Sequence, residues 1–211
     1  MLGANTICAI CSNRKAKRHC PGVKGEICTL CCGTERENTL ICPLDCAYLL
    51  EGHRYEWERN QGQQLTEVPH SKYEITDNFL YHNEAMVGAL AATLLKRALE
   101  LPAVQDRDLG EALNALVRTR ETLLSGLYYD SVPTAPVPEA LFRETQKFLE
   151  ETNAKQPLKE EDVIKSLVFL ERLCAARNNG RPRCRAFLAF LRQQFPHVAA
   201  EKTPGGLIVT A

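Results

Sequence analysis

From residue 75 onward, apolar side chains return every third or fourth position, the period of a helix with one buried face. Phe79, Met86, Leu90 and Leu94 fall on one stripe, widened by Leu80, Val87 and Ala91, and Leu101-Pro102 stops it. A second helix follows Asp106 or Asp108, either of which can cap it, with Leu109, Leu113, Leu116, Leu123 and Leu127 facing inward. Pro133, Pro136 and Pro138 then break the pattern, since proline cannot sit inside a helix. Leu141, Phe142, Thr145, Phe148 and Leu149 mark a third helix. Val163, Ile164, Leu167, Val168, Leu170 and Cys174 mark a fourth, which Asn178, Asn179 and Gly180 end. The fifth begins near Pro182, uses Cys184, Phe187, Leu188, Leu191 and Phe195, and stops at Pro196.

The first 60 residues are set apart by their cysteines, with one helix expected from Pro43 through Ala47, Tyr48, Leu49 and Leu50 towards Trp57, and the pattern divides the chain. It predicts a Cys-rich module over 1–60, a polar linker over 61–74, an all-α bundle over 75–197 and a loose tail over 198–211. The fold class is therefore mainly α, a small Cys-rich module followed by a helical bundle. No repeat in the range of roughly 33 to 47 residues suggests a solenoid.

Eight of the ten cysteines lie between Cys8 and Cys46. The N-terminus has no basic stretch followed by an apolar run, so a secretory leader is not expected, and no apolar stretch approaches the ~20 residues of a membrane span. A cytoplasmic, reducing setting is the working expectation, and there clustered thiols read as metal ligands rather than disulfides. Cys8 and Cys11, and again Cys28 and Cys31, have the Cys-x2-Cys spacing with which one tight turn offers two thiolates to zinc. Gly22, Gly25 and Gly33 nearby suit positive φ angles or close backbone approach. Cys42 and Cys46 are four apart, the spacing of one helical face, with Pro43 fit for a first turn and a short β segment over Asn38–Ile41 leading in. Eight thiols match two four-cysteine zinc sites: Cys8, Cys11, Cys20, Cys28, Cys31, Cys32, Cys42 and Cys46, with His19 a further candidate ligand. His53 stands two turns beyond Cys46 and reads as a solvent-facing side chain.

This arrangement resembles MYND-type and HIT-type zinc fingers, cross-braced folds in which ligand pairs alternate between two zinc ions; the resemblance covers residues 8 to about 53. It implies Cys8, Cys11, Cys28 and Cys32 on one zinc and Cys20, Cys42 and Cys46 on the other. Where such fingers carry Cys-x2-Cys, this chain has Cys20-Pro21-Gly22-Val23, so the eighth ligand stays open between Cys31 and His19. The resemblance implies a protein or peptide partner. The chain as a whole also resembles bacterial proteins that place such a finger before a helical domain.

Lys and Arg balance Asp and Glu at 26 each, so bulk charge points to no partner and any charge argument is local. Arg14, Lys15, Lys17 and Arg18 lie in a stretch without acids, segment 14–24. They can meet phosphates, or they can offset the negative charge of thiolate-bound zinc. Segment 172–192 is also acid-free, and Arg181, Arg183 and Arg185 can hold an anion there or pair with the acids of 150–162. Cys174 and Cys184 read as small core residues. No P-loop, HExxH or GxSxG motif occurs, and no small-molecule substrate suggests itself. The first expectation is thus a non-enzymatic zinc-binding adaptor. The alternatives are a nucleic-acid-binding regulator using the two basic segments and a thiol redox or iron–sulfur sensor.

Overall fold

The computed structural model describes residues 6–60 and 67–200; the tail after Ala200 and the first part of the expected linker lie outside the described residues. The fold is mainly helical. It divides into two compact units, one of Met1–Gln63 together with Asn178–Ala186, the other of Gln64–Arg177 and Phe187–Ala211. The pattern over 75–197 reads as one bundle, yet segment 178–186 returns to the N-terminal unit.

In that first unit a two-stranded antiparallel sheet, β1 (Arg18–Cys20) and β2 (Gly25–Ile27), is closed by a tight turn. Lys24 turns the chain at φ 51°. Helix α1 (Thr29–Glu35) follows β2 directly, and α2 (Ala47–Asn60) follows a turn in which the Cys46 N–H meets the Pro43 carbonyl. Cys42 and Cys46 therefore precede the helix instead of sharing its face. The Cys46 carbonyl accepts from Leu49 and Leu50 and begins α2, leaving the thiol at the helix entrance. The segment expected as a strand over 38–41 makes only a single bridge, Arg36 to Leu40. Left-handed backbone in this unit falls on Ser12, Lys24, Glu37 and Gly180, and Gly22 serves by close approach, since a Cβ there would lie 3.3 Å from the Ile41 carbonyl oxygen.

Gly52 on α2 has a similar purpose. The Arg36 guanidinium lies across it, donating to the Tyr48 carbonyl at 3.1 Å and to Glu56 at 3.0 Å, and a Cβ on Gly52 would overlap its Nη1. Gly52→Ala is expected to displace Arg36 and to lower the unfolding free energy of this unit by roughly 1–3 kcal/mol, from a hydrogen bond to a charged group lost in a part-buried place. Denaturant unfolding followed at Trp57 measures it; a variant as stable as the parent would show that Arg36 has an equivalent seat elsewhere.

The second unit is built on α3 (Asp77–Ala98), α4 (Asp106–Leu124), α5 (Pro136–Lys155) and α6 (Glu160–Arg177); α4 packs on α5 and α6, and α3 packs on the same two. The leucines of the expected stripes, Leu90, Leu94, Leu109, Leu113, Leu116, Leu141 and Leu149, are fully buried, as are Phe142 and Leu167. Leu127 is not, because α4 stops at Leu124 and Gly126 turns the chain at φ 81°. The N-cap of α4 is Gln105, one residue before the expected acids, with Asp108 closing the box by accepting from the Gln105 N–H at 2.8 Å. Asp106 is spent differently: it is buried, and its two oxygens accept from the Phe187 and Leu188 N–H groups at the start of α7 (Ala186–Gln194). Pro136 and Pro138 lie in the first turn of α5, where missing N–H groups cost nothing. A short α8 (Pro196–Ala200) closes the described chain. No described helix is long and apolar enough to cross a membrane.

Candidate metal centre

The first knuckle forms because residues 6–16 fold back on themselves. Cys8 N–H donates to the Arg14 carbonyl, Ala16 N–H to Thr6, and Ser12, left-handed at φ 52°, donates to Cys8. In the second knuckle Cys28 is the N-cap of α1, its Sγ accepting from the Cys31 N–H at 3.4 Å. Two further bonds, Ala9 N–H to Glu26 and Lys17 N–H to Ile27, lay the knuckles side by side.

The result is a four-thiol group. The sulfurs of Cys8, Cys11, Cys28 and Cys31 all lie within 4.8 Å of one another. Four sulfurs at zinc bond lengths of ~2.3 Å stand about 3.8 Å apart, so this donor set suits a tetrahedral zinc with little movement. Cys31, and not Cys32, completes the set. On α1 a three-residue step from the cap brings Cys31 back over Cys28, while Cys32, one residue on, turns about 100° away.

The site is electrostatically asymmetric. Burial raises the Cys8 thiol, but N–H groups of Cys11, Cys28 and Ile10 overcome it and bring it down to about 6. Cys11 is lowered by the Arg14 and Asn13 N–H groups. Cys31 is pushed up to about 12 by burial and by its three thiol neighbours. Some thiols thus ionise easily and the last resists, a conflict that a divalent cation relieves. Arg14 is exposed, with its guanidinium held cationic by the Cys28 and Cys11 thiols.

The remaining four cysteines of the stretch border one cavity elsewhere in the same unit. Cys20 ends β1, Cys32 lies on α1 and Cys42 and Cys46 flank the turn before α2; all four line one cavity of about 10 Å³, room for a single water or ion. Burial raises the Cys42 thiol, with Cys46 and Cys20 adding to it. Arg18 closes the side, its guanidinium 3.5 Å from the Cys32 sulfur and 4.0 Å from the Tyr48 ring centroid. His19 also borders this cavity, but its ring pairs with Glu26 across the hairpin at 3.1 Å and its side chain is 62% exposed. Lys15 and Lys17 are exposed.

The arginines of segment 178–186 have partners inside this unit. Arg181 donates to the carbonyls of Gly33 and Arg36 and reaches Glu56 at 3.4 Å; Arg185 donates to the Cys42 carbonyl at 3.0 Å. Arg183 is half-buried, and its N–H donates to the Glu37 carbonyl. The expected anion face is thus largely spent on backbone oxygens. Sequence reading missed the residue at the centre of this network. Glu37 is completely buried and left-handed at φ 54°, and its carboxylate accepts from His53 Nε2, Asn179 Nδ2 and the Arg185 N–H at 2.7 to 2.8 Å. His53, expected to face solvent, turns in against it, its side chain 10% exposed. Arg172, in the other unit, donates to three carbonyls, of Pro69, His70 and Tyr73.

Fold and site together define a mainly α protein with a Cys-rich unit whose four-thiol group can hold a metal ion such as zinc. No protein family, curated protein or solved structure matches the chain.

Proposed function

We propose that the Cys-rich unit binds two zinc ions, one on Cys8, Cys11, Cys28 and Cys31 and one on Cys20, Cys32, Cys42 and Cys46, and that the metal-locked unit is a non-enzymatic docking module for a protein partner. The alternation of the two sets along the chain, with adjacent Cys31 and Cys32 serving different metals, supports the cross-braced reading. One observation favours a protein over a nucleic acid. Of the candidate cations, Arg18, Arg181 and Arg185 are turned to thiols and carbonyls of the unit, which leaves the short run of Arg14, Lys15 and Lys17 exposed, while Ile7, Leu30, Ile41 and Tyr55 are exposed apolar side chains. Phosphate binding needs free cations, and apolar docking needs exposed apolar side chains.

Elemental analysis of untagged protein purified without oxygen is the direct test. Two zinc ions per chain and no visible absorbance are expected, with Cys42→Ser retaining one. A brown, iron-containing sample would replace this reading with a cluster protein. For the docking role, Leu30→Glu is expected to abolish capture of the partner while captured material survives nuclease and high salt; capture lost to nuclease instead would favour the nucleic-acid alternative.

A further inference from the structure

A second polar constellation lies in the helical unit and owes nothing to zinc. Residues 69–73 form a turn in which His70 is left-handed at φ 48°, and the Arg172 guanidinium fixes it by taking the carbonyls of Pro69, His70 and Tyr73 at 2.8 to 2.9 Å. Non-glycine backbone of this kind persists where its surroundings over-determine it, and it concentrates at functional sites. The turn, with Asn114 of α4 and Glu171 of α6, lines an open cleft of about 570 Å³.

Glu171 is the anomaly in that cleft. Only 8% exposed, it accepts from the Asn114 amide through Oε1 at 3.1 Å, while Oε2 has no hydrogen-bond donor. His70 Nε2 lies 3.3 Å from that oxygen, but the same Asn114 amide points at it from 3.2 Å. A nitrogen accepting from Asn114 has no proton to give Glu171. Burial holds the Glu171 carboxyl above its ordinary range. The neighbouring Glu121 differs, for it has the Tyr73 hydroxyl at 2.9 Å and the Lys72 ammonium at 3.0 Å. A buried carboxylate oxygen short of a donor is costly, and a ligand bringing one recovers that cost.

We propose that this cleft binds a small alkylamine, whose primary ammonium donates to Glu171 Oε2 as the His70 ring against that oxygen swings aside. The chemistry is selected from both sides. Arg172 engages the turn's carbonyls as competing acceptors, and the lining has two acids, Glu67 and Glu171, against one base, Lys72, which is paired with Glu121. His70 Nε2 faces the Asn114 amide, so Glu171 Oε2 is the acceptor left for a ligand with its own protons. The apolar lining of Val68 and Pro69 suits a short alkyl stem.

The test titrates the full-length, zinc-loaded protein with n-butylamine hydrochloride near neutral pH, following the His70 ring signals by NMR, assigned by their loss in His70→Gln. Sodium butyrate, of the same length and opposite charge, is the counterpart at matched ionic strength. A saturable shift with butylamine, absent with butyrate, and an affinity at least tenfold weaker in Glu171→Gln are expected. No saturable shift, an equal response to butyrate, or unchanged affinity in Glu171→Gln overturns the proposal. Should Glu171→Gln fail to fold, the contrast between butylamine and butyrate on the unaltered protein decides alone.

Discussion

Complete removal of zinc with a strong chelator is expected to unfold the Cys-rich unit and leave the helical unit standing. The reason lies in what each unit buries. Around the first site the buried cluster is Cys8, Ile27, Cys28, Cys31 and Cys32, so four of its five members are thiols and Ile27 alone is a conventional core residue. Structural zinc contributes about 10–16 kcal/mol in isolated fingers, comparable with the whole stability of a small domain at roughly 5–15 kcal/mol. Elsewhere the unit's described residues bury only Leu44, Leu49 and a few small side chains, and without the metal so little apolar surface cannot offset the chain entropy of some 60 residues. The helical unit has a different ledger, with Leu90, Leu94, Leu109, Leu113, Leu116, Phe142 and Leu167 all fully buried. Trp57 is the chain's single tryptophan and lies on α2 of the first unit, so its emission follows that unit. A red shift with most far-UV helical signal retained is the expected result. Unchanged Trp57 emission in demonstrably zinc-free protein would show that the unit folds without metal.

The second large effect is expected at Glu37. Glu37→Ala removes the fully buried acceptor of three part-buried donors, His53, Asn179 and the Arg185 N–H, at a cost of roughly 3 kcal/mol, the lower end of the range for breaking a buried charged network on one side. The left-handed backbone at this position then persists without the bonds that hold it. Acid should reproduce part of the effect. Burial by itself raises the Glu37 carboxyl, but His53, Asn179 and the Arg185 N–H together bring it below the ordinary value. The unfolded chain therefore binds a proton at higher pH than the folded one, and unfolding takes protons up. The contribution is complete above the unfolded carboxylate range and is lost as pH falls through the lower folded value. Acid also strips zinc from thiolates, so the informative quantity is the difference between the parent and Glu37→Gln: a gap in unfolding free energy near neutral pH that closes on acidification. A gap independent of pH would mean that Glu37 acts by shape and not by charge.

The helices and the knuckles are legible in the sequence for the same reason, a local period. Leu109, Leu113 and Leu116 repeat at helical spacing and are buried; Cys28 and Cys31 have knuckle spacing and come together. Position along the chain says less where one residue of rotation decides, as between Cys31 and Cys32, which leave α1 in different directions. The network at Glu37 has no period at all. Its donors come from α2 and from Asn179 and Arg185, far along the chain, and arginines that bond to carbonyls look in sequence like arginines awaiting an anion. His53 was misplaced for that reason, since nothing local announces a buried carboxylate sixteen residues earlier.

Because Asn178–Ala186 completes the N-terminal unit, the helices α3 to α6 are an insertion between its two pieces. During synthesis the thiol-rich stretch emerges first, yet Asn179, Arg181 and Arg185 follow only after all four long helices have been made. In that interval Glu37 lacks two of its three donors, and the carbonyls of Gly33, Arg36 and Cys42 lack their arginines. The nascent unit therefore gains its full set of hydrogen bonds only after residues 178–186 have been made.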